Sequence, residues 1–305
     1  MAVRTLNNAP VPTTVSPAAQ KELRKLPIPP RQTLEAQRQV CERVQRELGS
    51  RQLHRYAVSM QESAVANVLV RIFEPASLPA DNRERVLVNL HGGGFTKDAG
   101  SITENVPIAA LSQTRVVAVR YRMAPEFPFP AAVDDAEAVY RALLCQYSAD
   151  RIGLYGTSAG AILCAQLLVR LQQTRTPLPR VLGFFSGAAD LSRPGDTEHF
   201  FRPPEEESAT GDFFSSYIGD HDRASPELSP VFTDLSGFPP TLCIAGTRDF
   251  LLSQTALFHR ALLRAGVAAE LVVYEAMPHA HWIYLELPES DEAFGHMAAF
   301  LSRQL

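Results

Sequence analysis

The sequence predicts an α/β fold: a mostly parallel central sheet of about eight strands with helices on both faces. Three observations carry this. Eight β-branched or apolar runs recur along the chain, helical stretches separate most of them from the third onward, and 305 residues suffice to bury a sizeable core.

Taken in order, the first 50 residues begin Pro-rich and continue into a polar helix, Thr33 to Leu48, ended by Gly49; this segment lies outside the sheet core. The strands then run Tyr56 to Met60, Val65 to Phe73, Arg85 to Leu90 and Val116 to Tyr121. A helix follows over Ala131 to Gln146, then a strand over Arg151 to Tyr155, an apolar helix over Ala159 to Gln172, and a strand over Val181 to Phe185. The stretch Asp190 to Pro230 breaks the alternation. It is rich in Pro, acidic and aromatic residues, and Phe200, Phe201, Phe213, Phe214 and Tyr217 fit either ordinary packing or a cover over a substrate. Strand Thr241 to Ala245, helix Gln254 to Ala265, strand Leu271 to Tyr274 and helix Glu289 to Leu301 complete the chain.

Composition bounds the function. Lys plus Arg number 29 against 33 Asp plus Glu, a net charge of −4, so no global basic field attracts phosphate backbones and nucleic acid is not an expected partner. No run reaches the roughly 18 apolar residues of a membrane span, and no apolar signal-peptide core opens the chain, so a cytoplasmic protein is expected. Cys41, Cys145, Cys164 and Cys243 form no CxxC pair and read as small buried thiols, not as a disulfide framework or a metal site.

The strongest local signal is Gly156-Thr157-Ser158-Ala159-Gly160, between an expected strand and an expected helix. A serine on such a sharp turn needs glycine two residues to either side, where side chains would strike the neighbouring strand and helix. The second signal is His91-Gly92-Gly93-Gly94-Phe95, directly after an apolar strand. Consecutive glycines leave N–H groups open to a negatively charged oxygen; beside a serine elbow they read as an oxyanion hole, completed by the N–H of Ala159.

A serine hydroxyl needs a base within reach and a carboxylate to orient that base. Among the acids after Ser158, only Asp249 closely follows an apolar strand, through the turn Gly246-Thr247-Arg248. His279 follows the last strand and the turn Ala276-Met277-Pro278, 30 residues beyond Asp249. His281 is the competing base, and a metal-binding His-Ala-His lacks the further ligands of a tetrahedral set.

These motifs resemble the hormone-sensitive-lipase-like α/β-hydrolases, also met as bacterial carboxylesterases. The resemblance spans roughly residues 65–305 and includes Tyr121 to Glu126, Phe129 to Ala132 and Asp134 to Ala136. The GTSAG elbow, with Thr157 where many members carry Asp, marks a branch. The resemblance implies an α/β-hydrolase fold with Ser158 as nucleophile, Asp249 as acid and His279 as base. It also implies Gly93, Gly94 and Ala159 as oxyanion donors, and His91 and Gly92 as the supporting loop. It further implies a helical cap from an N-terminal segment, 1–50, and an insertion at about 190–230 of a catalytic domain, 51–305.

The expected activity is hydrolysis of short- to medium-chain carboxylic esters through an acyl-enzyme, with no metal and no organic cofactor. An amidase or formamidase on the same triad is the first alternative; a noncatalytic small-molecule receptor, known in the family where the base is lost, is the second. The expected partner is a small ester, and the resemblance leaves a homodimer open.

Overall fold

The computed structural model describes residues 10–25, 32–201 and 214–305. Phe213 and the Phe201 side chain, named above, lie outside that description, as do parts of the two segments assigned to a cap.

Helices α1 (Pro17–Leu23) and α2 (Leu34–Tyr56) precede an antiparallel hairpin of β1 (Val58–Val65) and β2 (Val68–Pro75). There follow β3 (Val86–Leu90), α3 (Asn105–Ser112), β4 (Arg115–Val119), α4 (Ala131–Leu144), β5 (Ile152–Thr157), α5 (Ala159–Gln173) and β6 (Val181–Phe185). Short helices α6 (Asp196–Phe201) and α7 (Ser215–Ile218) lie in the insertion. Then come β7 (Thr241–Arg248), α8 (Leu252–Arg264), β8 (Ala269–Pro278), α9 (His281–Tyr284) and α10 (Pro288–Gln304). The strands form one eight-stranded sheet, ordered β1-β2-β4-β3-β5-β6-β7-β8, in which only the β1/β2 and β2/β4 pairings are antiparallel.

The central strands are buried along their whole length, which is why they read as continuous apolar runs rather than alternating ones. One core packs α4, α5 and α8 against one face; the other packs α3 and α10, with Trp282 of α9, against the opposite face.

Several local expectations need correction. Helix α2 does not stop at Gly49 or residue 50. It runs on to Tyr56, and Gly49 is glycine because a Cβ there would sit 2.5 Å from Ile102. The stop signal was instead a close-packing contact. The first strand begins after that helix, at Val58. Its turn falls at Ala66-Asn67, both with positive φ, inside the run read as the second strand. No glycine marks this turn; Asn67 tolerates the left-handed conformation and is its only signal. The expected turns before Asp249 and His279 are strand instead, because Arg248 pairs with Pro278 across β7 and β8. Cys145 is exposed, not buried.

Candidate active site

Parallel strands deliver their C-terminal ends to one edge of the sheet, and loops leaving those ends form the crevice in which such folds bind ligands. Here β3 leads into the glycine loop, β5 into Ser158, β7 into Asp249 and β8 into His279.

Ser158 has φ 58° and ψ −123°, a left-handed conformation that a non-glycine residue holds only under constraint from its surroundings. The constraint is visible: a Cβ on Gly160 would lie 1.8 Å from the Leu90 carbonyl oxygen, and one on Gly156 would lie 2.5 Å from the Gly160 carbonyl carbon. The two glycines thus let α5 approach β3 and β5 closely enough to fold the turn back. The Ser158 N–H donates to the Phe185 carbonyl at 2.8 Å.

His279 joins the other two predicted residues. Its Nδ1 donates to Asp249 Oδ1 at 2.7 Å, so its Nε2 is left to accept from Ser158 Oγ at 2.9 Å. Asp249 is fully buried and also accepts from Ser186 Oγ and from the Leu251 N–H at 2.8 Å. Burial works to raise its pKa, but the facing His279 and these donors outweigh it and hold the carboxyl below the ordinary carboxylate range. The Phe250 ring lies 4.4 Å from the imidazole. His281, two residues on, does not reach Ser158. It is buried against Tyr274 and Trp282, and burial lowers its pKa to about 4.

The glycine loop lies against the elbow: a Cβ on Gly92 would be 3.5 Å from Ser158 Cβ. Gly93 has φ +118°, and a Cβ there would strike the Lys97 carbonyl at 1.9 Å. The Gly92 carbonyl accepts from the Ala99 N–H at 3.1 Å, and the Gly93 carbonyl accepts from the Thr96 and Lys97 N–H groups at 3.2 Å. Carbonyl and N–H point to opposite sides of a trans peptide, so the N–H groups of Gly93 and Gly94 face away from these turn bonds. Ala159 opens α5, where the N–H groups have no partner within the helix. His91 supports the loop from below: its Nδ1 donates to the Gly92 carbonyl at 2.8 Å and its ring stacks on Tyr121 at 4.1 Å.

The insertion touches both flanks of this site. Tyr217 stacks on Phe95 of the glycine loop with centroids 3.5 Å apart, and Thr197 Oγ1 donates to the Phe250 carbonyl at 2.8 Å.

Sequence reasoning missed the polar groups behind the elbow. Thr157 donates to Glu104 Oε1, Asn89 Nδ2 donates to Glu104 Oε2 at 3.2 Å, and all three residues are fully buried. Asn89 was the available signal, a lone polar residue in the apolar run Val86 to Leu90. Among the described residues no group of His, Cys, Asp and Glu is arranged to hold a metal ion.

The arrangement can move a proton from a serine to an imidazole whose charge an adjacent carboxylate favours, beside amides free to receive an anion. Comparison with known proteins finds a shared fold and relatives named as ester hydrolases. Residues 87–283 match a family described as the alpha/beta hydrolase fold. The chain is 34% identical over 230 residues to an acetyl-hydrolase of Streptomyces hygroscopicus, covering 73% of this chain and 77% of that one. It is 31% identical over 258 residues to the carboxylesterase NlhH of Mycobacterium tuberculosis, covering 79% and 80%. Among solved structures, one esterase superposes with a TM-score of 0.84 at 32% identity over 97% of each chain. An esterase of the bacterial hormone-sensitive lipase family gives 0.77 at 29% identity, over 90% of this chain and 93% of that one.

Proposed function

The chain belongs to the α/β-hydrolase family of carboxylic ester hydrolases, among relatives of the hormone-sensitive lipase type, and from that premise we propose that Ser158, Asp249 and His279 carry the reaction. The observation that supports this most directly is the unbroken chain of contacts from Asp249 through His279 to Ser158.

In this reading His279 Nε2 takes the Ser158 proton as Oγ attacks the ester carbonyl. The N–H groups of Gly93, Gly94 and Ala159 receive the oxyanion, and the imidazolium returns the proton to the departing alcohol. Water then repeats the sequence on the acyl-enzyme and releases the acid. Asp249 holds the tautomer and stabilises the imidazolium between the two proton transfers. The N-terminal segment and the 190–230 insertion act as the cap, a role supported by the seating of Tyr217 on the glycine loop and of Thr197 on the acid loop. The substrates are short- to medium-chain esters.

Two finer assignments belong to the same proposal. A homodimer is supported by β8, an edge strand of the sheet that carries the exposed Val273. A cytoplasmic site is supported by four free cysteines, the usual state in a reducing compartment. Among the described residues no helix is long and apolar enough to cross a membrane.

The test is hydrolysis of p-nitrophenyl esters from acetyl to palmitoyl by wild type and Ser158→Ala. Activity in wild type alone, highest on the shorter acyl chains, is the expected result. Equal activity in both proteins removes Ser158 from the mechanism, and a matched anilide cleaved faster than the ester turns the reading to amide hydrolysis.

A further inference from the structure

Glu104 is a fully buried carboxyl beside the elbow, and it makes no ion pair among the described residues. Two chains of hydrogen bonds end on it, and each is polarised by a group that can act in only one sense. In the first, Trp282 Nε1, a donor only, donates to Thr157 Oγ1 at 3.3 Å, so the Thr157 proton is free to go to Glu104 Oε1. In the second, Asn105 Nδ2 donates to the Ser101 carbonyl at 2.8 Å, which fixes that amide, and it also donates to Asn89 Oδ1 at 2.9 Å. Tyr155 OH donates to the remaining Asn105 oxygen. Asn89 must therefore present its Nδ2 to Glu104 Oε2. Both arms arrive as donors, and only an ionised carboxylate accepts at both oxygens.

The arms come from the three places where the chemistry is carried. Asn89 lies two residues before His91 and the glycine loop, Thr157 directly precedes Ser158, and Trp282 lies three residues beyond His279. We propose that Glu104 is a positioning residue for ester hydrolysis: its carboxylate ties the ends of β3 and β5 and the turn after β8 together and sets the spacing of oxyanion donors, nucleophile and base. This rests on the serine-hydrolase reading above.

Burial pushes the Glu104 pKa up to about 7, against the opposing pull of Thr157, Asn89 and Trp282. The titratable groups facing it are Tyr155 of β5 and Cys164 of α5, both pushed up by burial and therefore neutral, and Tyr284 of α9, which also faces Cys41 and Asp98. Protonation of Glu104 below about pH 7 takes away the acceptor that one arm needs, so it is expected to lower turnover on the acid side by the same route as Glu104→Gln.

Glu104→Gln keeps the shape but offers one acceptor, so one arm meets a donor. Its kcat on p-nitrophenyl butyrate is expected to fall by about 10- to 100-fold with KM within about twofold, the signature of lost alignment rather than lost binding. The ratio of wild-type to variant kcat is expected to be largest above pH 7 and to shrink as pH falls through about 7, where wild type loses the carboxylate that the variant lacks throughout, a change that a merely structural role would not produce. Thr157→Val is expected to match it, Thr157→Ser to retain wild-type kcat, and the double variant Glu104→Gln/Thr157→Val to be no worse than either single one. Circular dichroism and Tm confirm that each protein is folded. If Ser158→Ala is inactive while Glu104→Gln keeps wild-type kcat, loses only KM, or shows a kcat ratio to wild type that does not change with pH, the proposal falls and the underlying reading stands. If Ser158→Ala is as active as wild type, both fall.

Discussion

At the C-terminal tips of β3, β5, β7 and β8 the side chains of the proposed machinery are fixed by buried neighbours, with His279 partly open to solvent at 22%. Asp249, Glu104 and Thr157 are fully buried, and Ser158 is held in a left-handed turn by glycines that no larger residue can replace without collision. Helix α2 meets the same glycine loop by different means. Its polar links are mostly side chains at the surface, Arg38 to Glu126, Lys97 to Gln37, Arg51 to Glu286 and Arg55 to Asp291; Gln45, bonded to Asp98 and to the Ile102 N–H, is buried together with Leu48, Gly49 and Gln52. Buried hydrogen bonds are expensive to leave unmade, whereas exposed ion pairs are screened and individually weak. Geometry for chemistry is thus built where water is excluded. The helix proposed to cover the substrate rests on a few buried residues, and its ion pairs are contacts that give way easily.

The largest effect on either side of this comparison is expected at Asp249. Asn there removes the negative charge that stabilises the imidazolium, and its single amide oxygen can stand in for Oδ1, which takes His279 and the Leu251 N–H, or for Oδ2, which takes the Ser186 hydroxyl, but not for both. Turnover of p-nitrophenyl butyrate by Asp249→Asn is expected to fall by about 10⁴-fold, the cost of the same change in a serine protease, with the fold retained. Unchanged turnover would place the acid elsewhere and show that burial at the strand tips does not mark the machinery.

The same contrast explains what could be read in advance. Ser158, Gly93, Asp249 and His279 were legible because their constraint is local: a strained turn demands glycine at particular offsets, and a strand end followed by a lone acid or histidine places that side chain on the crevice. Glu104 was not legible. It stands in the polar stretch Ser101 to Asn105, which reads as a solvated loop, and only the convergence of three distant segments buries it. Gly49 failed in the opposite sense, since a glycine near a helix end is both a common stop signal and a common site of close packing, and the deciding contact, Ile102, lies 53 residues away (102 − 49 = 53).

His281 offers a smaller effect and a sharper discrimination, because it shares a turn with His279 but is built for packing. Replacing it with Phe keeps a ring against Tyr274 and Trp282 and is expected to leave kcat within about tenfold of wild type, far above His279→Ala. Its signature is in stability. The folded-state pKa of about 4 lies below the ordinary value of 6.5, so as pH falls through that window the unfolded chain takes up a proton that the folded chain refuses. Stability is complete above about pH 6.5 and declines toward pH 4, by on the order of 3 kcal/mol at most for this group. Urea denaturation at several pH values is expected to show a shallower decline in His281→Phe. A greater loss of turnover at His281 than at His279 would reverse their assignments.

The smallest effect is expected at Arg38, which tests the weak side of the comparison directly. Its guanidinium forks onto both Glu126 oxygens at 2.7 Å, while Nε donates to the Thr96 carbonyl at 2.7 Å and Nη2 to the Ala124 carbonyl at 3.0 Å. The Arg38 guanidinium holds the Glu126 carboxyl down to about pKa 2, so the pair stays charged across any practical assay range and its loss is confined to strong acid. Glu126 is half exposed, however, and the glycine loop keeps its own turn through the bonds to the Gly93 carbonyl whether or not Arg38 is present. Arg38→Ala is therefore expected to lower kcat/KM by no more than about fivefold, mostly through KM, and concentrated salt is expected to move wild type toward the variant. A loss approaching that of Asp249→Asn, carried by kcat, would mean that helix α2 sets the glycine loop as firmly as the sheet does, and the division between a rigid site and a loosely tied cover would have to be abandoned.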